Sequence, residues 1–263
     1  MADADTERTI GLDVERVVLG DDVGGHAEFV VYDAGGHAEY QRMLRPFFSS
    51  GALYLLLWDG SEEAPLEALC GWAASVQACA PGASMLPVVT HADCASASEA
   101  ELQARSERVT EHVCAALERQ RTRLRRELDG LTPELRARAG YSDERGVRDV
   151  LEWLARERRD TPPSRPEARA QRLLLLLDTP LRLLAPPVVT SAHTLFGMGQ
   201  LKRRMLEAAH DSEVGALPRI ATSVLQSHAP LSTLISEPEH EIISTRPVYR
   251  CLKVRTYPNG PYW

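Results

Sequence analysis

Three short strings carry residue types able to do chemistry, and each follows an apolar run: YDAGGHAEY (32–40), THAD (90–93) and SAHTLFG (191–197). In the first, Asp33 stands where the run AEFVVY ends, and Gly36 can bring its backbone N–H close to an anion that a side chain would obstruct. His37 follows, an imidazole able to orient a water molecule in a way that depends on protonation. In the second, the Asp93 carboxylate can accept two N–H donors at once. In the third, Ser191 and Ala192 offer backbone N–H groups. Read singly, each string is also an ordinary turn after a strand; their order along one chain is what links them.

The elements that would position these residues follow from the apolar pattern. Residues 12–19 (LDVERVVL) and 27–32 (AEFVVY) flank the turn-rich GDDVGGH and predict an antiparallel hairpin. Residues 52–58 (ALYLLLW) and 85–89 (MLPVV) are short apolar runs of the kind buried on both faces of a parallel sheet. Residues 64–80 between them have the length of a crossover helix. A long helix is expected over 98–128, capped by Ser96 or Ser98, with Glu99 and Glu101 at its positive end. Helix dominates from there to about Leu184, punctuated by Gly130, Pro133, Gly140 and the turn cluster TPPSRPE. Arg119, Arg121, Arg123, Arg125 and Arg126 alternate with Glu118, Glu127 and Asp129, which favours a solvated, ion-paired helix surface over an anion site. The run PVVT (187–190) predicts a last strand, followed by a helix over 198–209. LPRIATSVLQ predicts a short helix, after which 227–263 carries little periodicity.

Composition excludes several classes of function. The 263 residues carry 30 basic and 37 acidic groups, a formal charge of −7, which argues against general nucleic-acid binding because phosphate neutralisation needs a basic surplus. The longest apolar stretches, 173–177 and 52–58, fall far short of the roughly 20 residues of a membrane-spanning helix. The polar, acidic start MADADTERTIG does not have the pattern of a secretory signal, so a cytoplasmic location is expected. Five scattered cysteines, with no C-x-x-C pair, predict reduced thiols and no structural zinc. No H-E-x-x-H metal motif and no G-x-S-x-G nucleophile elbow occur.

The stretches TIGLDVERV, DAGGHAEYQRMLRPFFSSGALYLLLWD and THAD resemble the Roc domain, the Ras-like GTPase module of Roco proteins, over about residues 9–210. The helical segment after THAD, with RLLAPPVVTSAHTLFGMGQLKRRMLEAA and LPRIATSVL, is similar to the Roco subgroup that contains the malignant fibrous histiocytoma amplified sequence protein and the death-associated protein kinases. The resemblance implies an α/β fold, a Ras-like P-loop sheet flanked by helices. It also implies GTP or GDP as ligand, Mg²⁺ as cofactor, slow hydrolysis and a signalling role with dimerisation through a COR region.

By the same resemblance, Thr9 and Asp33 are the Mg²⁺ ligands, Gly36 meets the γ-phosphate, and His37 takes the place of the glutamine that orients the attacking water. Thr90, His91 and Asp93 correspond to the guanine motif, with Asp93 accepting from guanine N1–H and the exocyclic amine, and His91 replacing the lysine that covers the base. Ser191 and Ala192 correspond to the loop that reaches guanine O6.

One departure is large: no G-x-x-x-x-G-K-[ST] phosphate loop occurs in the sequence. Residues 1–212 are therefore expected to form a Roc-like domain lacking its first strand and phosphate loop, with a helical insertion over 98–184, and 213–263 to begin a COR-like region. Two functions compete on this basis. One is a guanine-nucleotide switch whose phosphate loop is supplied upstream; the other is a degenerate, non-catalytic Roc-like module that binds protein partners.

Overall fold

The computed structural model describes residues 12–20, 26–34, 47–140, 145–157, 162–210 and 248–255. These form a mixed α/β structure. Strands β1 (Leu12–Gly20) and β2 (His26–Ala34) make the expected antiparallel hairpin, with Leu12 opposite Ala34 and Gly20 opposite His26. Strands β3 (Ala52–Asp59) and β4 (Ser84–Thr90) pair in parallel, joined by helix α1 (Leu66–Cys79). Short strands β5 (Arg182–Leu183) and β6 (Val188–Val189) both add in parallel to β4. The pairing of β5 corrects the expectation of helix up to Leu184. Arg182 N–H donates to the Ala83 carbonyl at 2.9 Å and Leu184 N–H to the Met85 carbonyl at 2.8 Å, so this segment completes the sheet.

Strand β7 (Val248–Arg255) departs most from expectation. It lies between β2 and β3, parallel to both, giving the order β1-β2-β7-β3-β4-β5. VYRCLKVR shows neither a strict alternation nor a continuous apolar run, so its sequence does not predict a central strand. Residues 248–255 thus pair into the same sheet as the strands of residues 12–189. The helix expected in LPRIATSVLQ lies outside the described residues.

The two faces of the sheet follow from strand alternation. On β3, Tyr54, Leu56 and Trp58 pack with Leu69, Trp72 and Val76 of α1, together with Leu102, Val109 and Val113 of helix α2 (Glu99–Ala139). Leu53 and Leu55 face the other way and pack with Phe29, Leu86 and Val88, and with Met205 and Leu206 of the C-terminal helix. Trp72, Tyr54, Leu53, Leu56 and Leu69 are fully buried. Each such side chain stabilises the fold by about 1.5–3 kcal/mol relative to exposure.

Helix α2 runs 41 residues, about 60 Å at 1.5 Å per residue. Ser98 caps it: its hydroxyl accepts from Glu101 N–H at 3.4 Å, and its own N–H donates to Glu101 Oε2 at 2.8 Å. Those bonds from Ser98 hold the Glu101 carboxyl below its ordinary range. The helix does not stop at Leu128 as expected but passes through Pro133. Proline cannot donate to the Asp129 carbonyl, while Thr132 Oγ1 bonds the Leu128 carbonyl at 3.0 Å one step earlier.

Beyond that point Leu135 and Ala139 gain a second core with helices α3 (Val147–Glu157) and α4 (Arg165–Asp178). Packing of these residues outweighs the local cost of the proline. Gly140, left-handed at φ 70°, then ends the helix. The arginines beside this core divide their partners: Arg121 pairs with Glu118 at 3.8 Å, whereas Glu127 is taken by Arg169 of α4 at 2.6 Å. Helix α5 (Met198–His210) closes the second face of the sheet.

Candidate functional site

Strands β2, β7, β3, β4 and β6 run in one direction, so their carboxyl ends share one rim of the sheet. Asp33 is the penultimate residue of β2, Asp59 the last of β3 and Thr90 the last of β4. The loop of His91 and Asp93 leaves from the same rim, as does that of Ser191 and Ala192 just beyond β6. Asp33 is placed by backbone register, opposite Lys253 of β7. Thr9, Gly36 and His37 lie outside the described residues.

The two loops are tied together through their backbones. Thr190 N–H donates to the Val89 carbonyl at 2.7 Å, and Ala92 N–H donates to the Thr190 carbonyl at 3.1 Å. Thr90 Oγ1 reaches back to the Trp58 carbonyl at 3.2 Å, joining the ends of β3 and β4. His91 adopts φ 56°, in the left-handed region uncommon for a residue with a side chain. Cys94 N–H bonds its carbonyl at 3.0 Å, which helps hold the turn. The imidazole Nδ1 stands 3.0 Å from Asp59 Oδ2 and 3.2 Å from Thr90 Oγ1. His91, matched to a residue that covers the base, is thus turned toward the neighbouring strand end.

Asp93 occupies the centre of the loop pair. Its side chain is 21 % exposed, and a hydrogen bond from the Ser191 hydroxyl is the main reason its carboxyl is held below the ordinary range. His193 Nδ1 lies 3.8 Å away. The Cys94 thiol donates to Asp93 Oδ2 at 3.6 Å, and the carboxylate charge pushes that thiol's pKa up.

Ser191 itself is fully buried. Its hydroxyl also accepts from Thr194 N–H at 3.1 Å, and its own N–H donates to the Phe196 carbonyl at 3.0 Å. Of the two N–H groups expected to meet a ligand, that of Ser191 is therefore occupied. Ala192 N–H has no backbone acceptor among the described residues. The arrangement offers a carboxylate acceptor on one loop and a backbone N–H donor on the adjoining loop.

Several residues that shape this rim were not predicted from the sequence. Asp59 receives Ser61 N–H at 2.8 Å and the Ser61 hydroxyl at 2.6 Å, closing a turn after β3. Gly60 donates to the Thr90 carbonyl at 2.8 Å, and Arg105 Nη2 of α2 bonds the Gly60 carbonyl. A Cβ on Gly60 would come within 2.7 Å of Val89 Cγ1. Gly197 has φ 70°, and a Cβ there would overlap the Val189 carbonyl oxygen. The Asp-Gly-Ser string after β3 is a turn signal that could have pointed to Asp59; the tight approach of Gly197 has no local signature.

Among the described residues no group of three or more His, Cys, Asp or Glu is arranged to hold a metal ion. Also among them, no helix is long and apolar enough to cross a membrane. No protein-family model and no curated protein matches this chain.

Proposed function

We propose that this chain is a Roc-like, Ras-related domain that binds the base of a guanine nucleotide through Asp93. One observation carries the reading: the THAD and SAHTLFG loops meet at the carboxyl rim of a parallel sheet, tied by the Ala92 N–H to Thr190 carbonyl bond at 3.1 Å, and Ser191 is the main cause of the lowered Asp93 carboxyl. An ionised carboxylate accepts from guanine N1–H and the exocyclic amine, whereas adenine has no matching pair of donors. The Ala192 N–H is the donor for guanine O6. Asp33, at the carboxyl end of β2, is the residue the resemblance offers as a Mg²⁺ ligand.

Affinity is expected to be low. Without a G-x-x-x-x-G-K-[ST] loop, several charge-assisted contacts to the phosphates are missing, each about 1.5–3 kcal/mol. The test is equilibrium titration with fluorescent GDP and ADP, comparing the native chain with Asp93→Ala. The native chain is expected to prefer GDP and the variant to show no preference. Equal affinities for GDP and ADP in the native chain would remove Asp93 from base recognition.

A second reading has its own support. Helices α2, α3 and α4 carry a separate core of Leu128, Leu135, Val150, Leu154, Leu173 and Leu177, distinct from the two cores of the sheet. A helical subdomain with its own core suits a protein-docking module of a signalling scaffold that need not turn over nucleotide. Absence of any purine binding, with the fold intact, would favour this reading.

A further inference from the structure

We infer, resting on the docking-module reading and independently of the guanine one, that the cleft under the middle of α2 receives an acidic segment of a partner protein. One bulky apolar side chain of that segment seats between α2, α4 and β5, and its carboxylates meet Arg125 and Arg126.

A helix that serves two cores leaves its middle uncovered. α2 packs Leu102, Val109 and Val113 with α1 and the sheet, and Leu128, Leu135 and Ala139 into the second core, while no residue from Cys114 to Glu127 is buried. Within that stretch Leu117 and Leu124, seven residues apart and so on one face of the helix, are half-buried. With Arg121, Leu176, Leu181 and Leu183 they line a cavity of about 190 Å³. An apolar cavity of about 150 Å³ holds a benzene-sized molecule, so this one seats a single leucine or aromatic side chain.

Charge decides what kind of segment fits. A second, solvent-open groove of about 400 Å³ runs beside the cavity, lined by Glu118, Arg121, Thr122, Arg125, Arg126 and Asp129, and shares Glu118 and Arg121 with it. Both glutamates of the uncovered stretch are answered within the fold, Glu118 by Arg121 at 3.8 Å and Glu127 by Arg169 at 2.6 Å. Among the described residues Arg123, Arg125 and Arg126 hold no ion pair or hydrogen bond, so a chain of net charge −7 keeps a local positive excess here, with Asp129 the remaining acid of the groove. Guanidinium forks donate to carboxylates in pairs of hydrogen bonds. Length then separates a peptide from a small molecule. From Cys114 to Arg126 the helix rises about 18 Å at 1.5 Å per residue, the reach of about five or six extended residues. A compound that fills the cavity stops short of Arg126; a peptide does not.

Selection of a random peptide library displayed on phage against the full native chain tests the groove. Enriched peptides are expected to carry Asp or Glu residues around one leucine or aromatic residue. A labelled synthetic copy should bind the double variant Arg125→Glu/Arg126→Glu at least tenfold more weakly than the native chain. It should also shield Cys114, an exposed thiol that lines the cavity, from alkylation read by mass spectrometry. Arg125→Lys/Arg126→Lys, which keeps the charge, should retain part of the affinity, and circular dichroism checks that both variants fold. Enriched peptides that bind Arg125→Glu/Arg126→Glu as tightly as the native chain, or that leave Cys114 alkylation unchanged, would overturn the inference and leave the docking reading standing. A library that yields no binding peptide would overturn both. Displacement of the peptide by single-stranded oligothymidylate as effectively as by unlabelled peptide would mark a nucleic-acid groove and overturn the inference as well.

Discussion

The buried Ser191 side chain is the main cause that holds the Asp93 carboxyl below its ordinary range, across two loops that lie nearly a hundred residues apart in the chain. The same hydroxyl accepts from Thr194 N–H at 3.1 Å, which ties it to its own loop.

Removing that hydroxyl should be readable in the titration of Asp93. Its folded-state pKa lies below the ordinary value, so the associated stability is present above the unfolded pKa and is lost as pH falls through the folded one. Ser191→Ala is expected to move the Asp93 carboxyl upward, measured by carbon NMR against pH, and to begin acid unfolding at a higher pH. An unchanged Asp93 titration would mean that the hydroxyl does not set the carboxylate's ionisation.

Gly197 is a second point of control. Its φ of 70° and its close approach to the Val189 carbonyl leave no room for a Cβ. Gly197→Ala should cost at least ~2 kcal/mol in urea unfolding and should loosen the Ser191 loop, seen as faster hydrogen exchange at Ser191 and Thr194. Native-like stability in the variant would show that the loop can shift without penalty.

Gln77 of α1 holds the carboxyl end of α4 and the segment that leads into β5. Its amide nitrogen donates to the Leu176 and Thr179 carbonyls at 3.0 and 3.3 Å, and its oxygen accepts from Leu181 N–H. Gln77→Leu removes these partners at a site that is 6 % exposed, leaving Leu181 N–H unpaired. The expected loss is about 1–3 kcal/mol, measured by denaturant titration; a loss near zero would mean that water replaces the side chain there.

Leu135, fully buried in the second core, tests whether that core is energetically separate from the site. Leu135→Ala should cost about 2–5 kcal/mol and should unfold α3 and the end of α2 first. Native-like exchange protection is expected to persist in β3 and β4. Simultaneous loss of protection in both regions would show one cooperative unit instead.

Much of the architecture was legible in the residues themselves. ALYLLLW and MLPVV are continuous apolar runs because both faces of β3 and β4 are covered, and Ser98 with Glu101 announces the start of α2 through a local, reciprocal hydrogen-bond pattern. The end of that helix was not legible. Gly130 and Pro133 are local breakers, and contacts of Leu135 and Ala139 with α3 and α4 override them. Strand β7 was hidden for a related reason: Arg250, Lys253 and Arg255 interrupt its apolar pattern, and its two partner strands are far away in sequence.

The site divides along the same line. From the sequence alone come the residue types: a carboxylate in THAD, a serine after PVVT, and an aspartate ending AEFVVY, each after an apolar run that the backbone can extend into a strand. Which of them meet was decided by tertiary structure, because parallel pairing aligns the carboxyl ends of strands that no local rule brings together. It turned His91 toward Asp59, occupied the Ser191 N–H with Phe196, and set Lys253 opposite Asp33. Hydrogen-bond partners distant in the chain are a property of the assembled sheet, and only the assembled sheet specifies them.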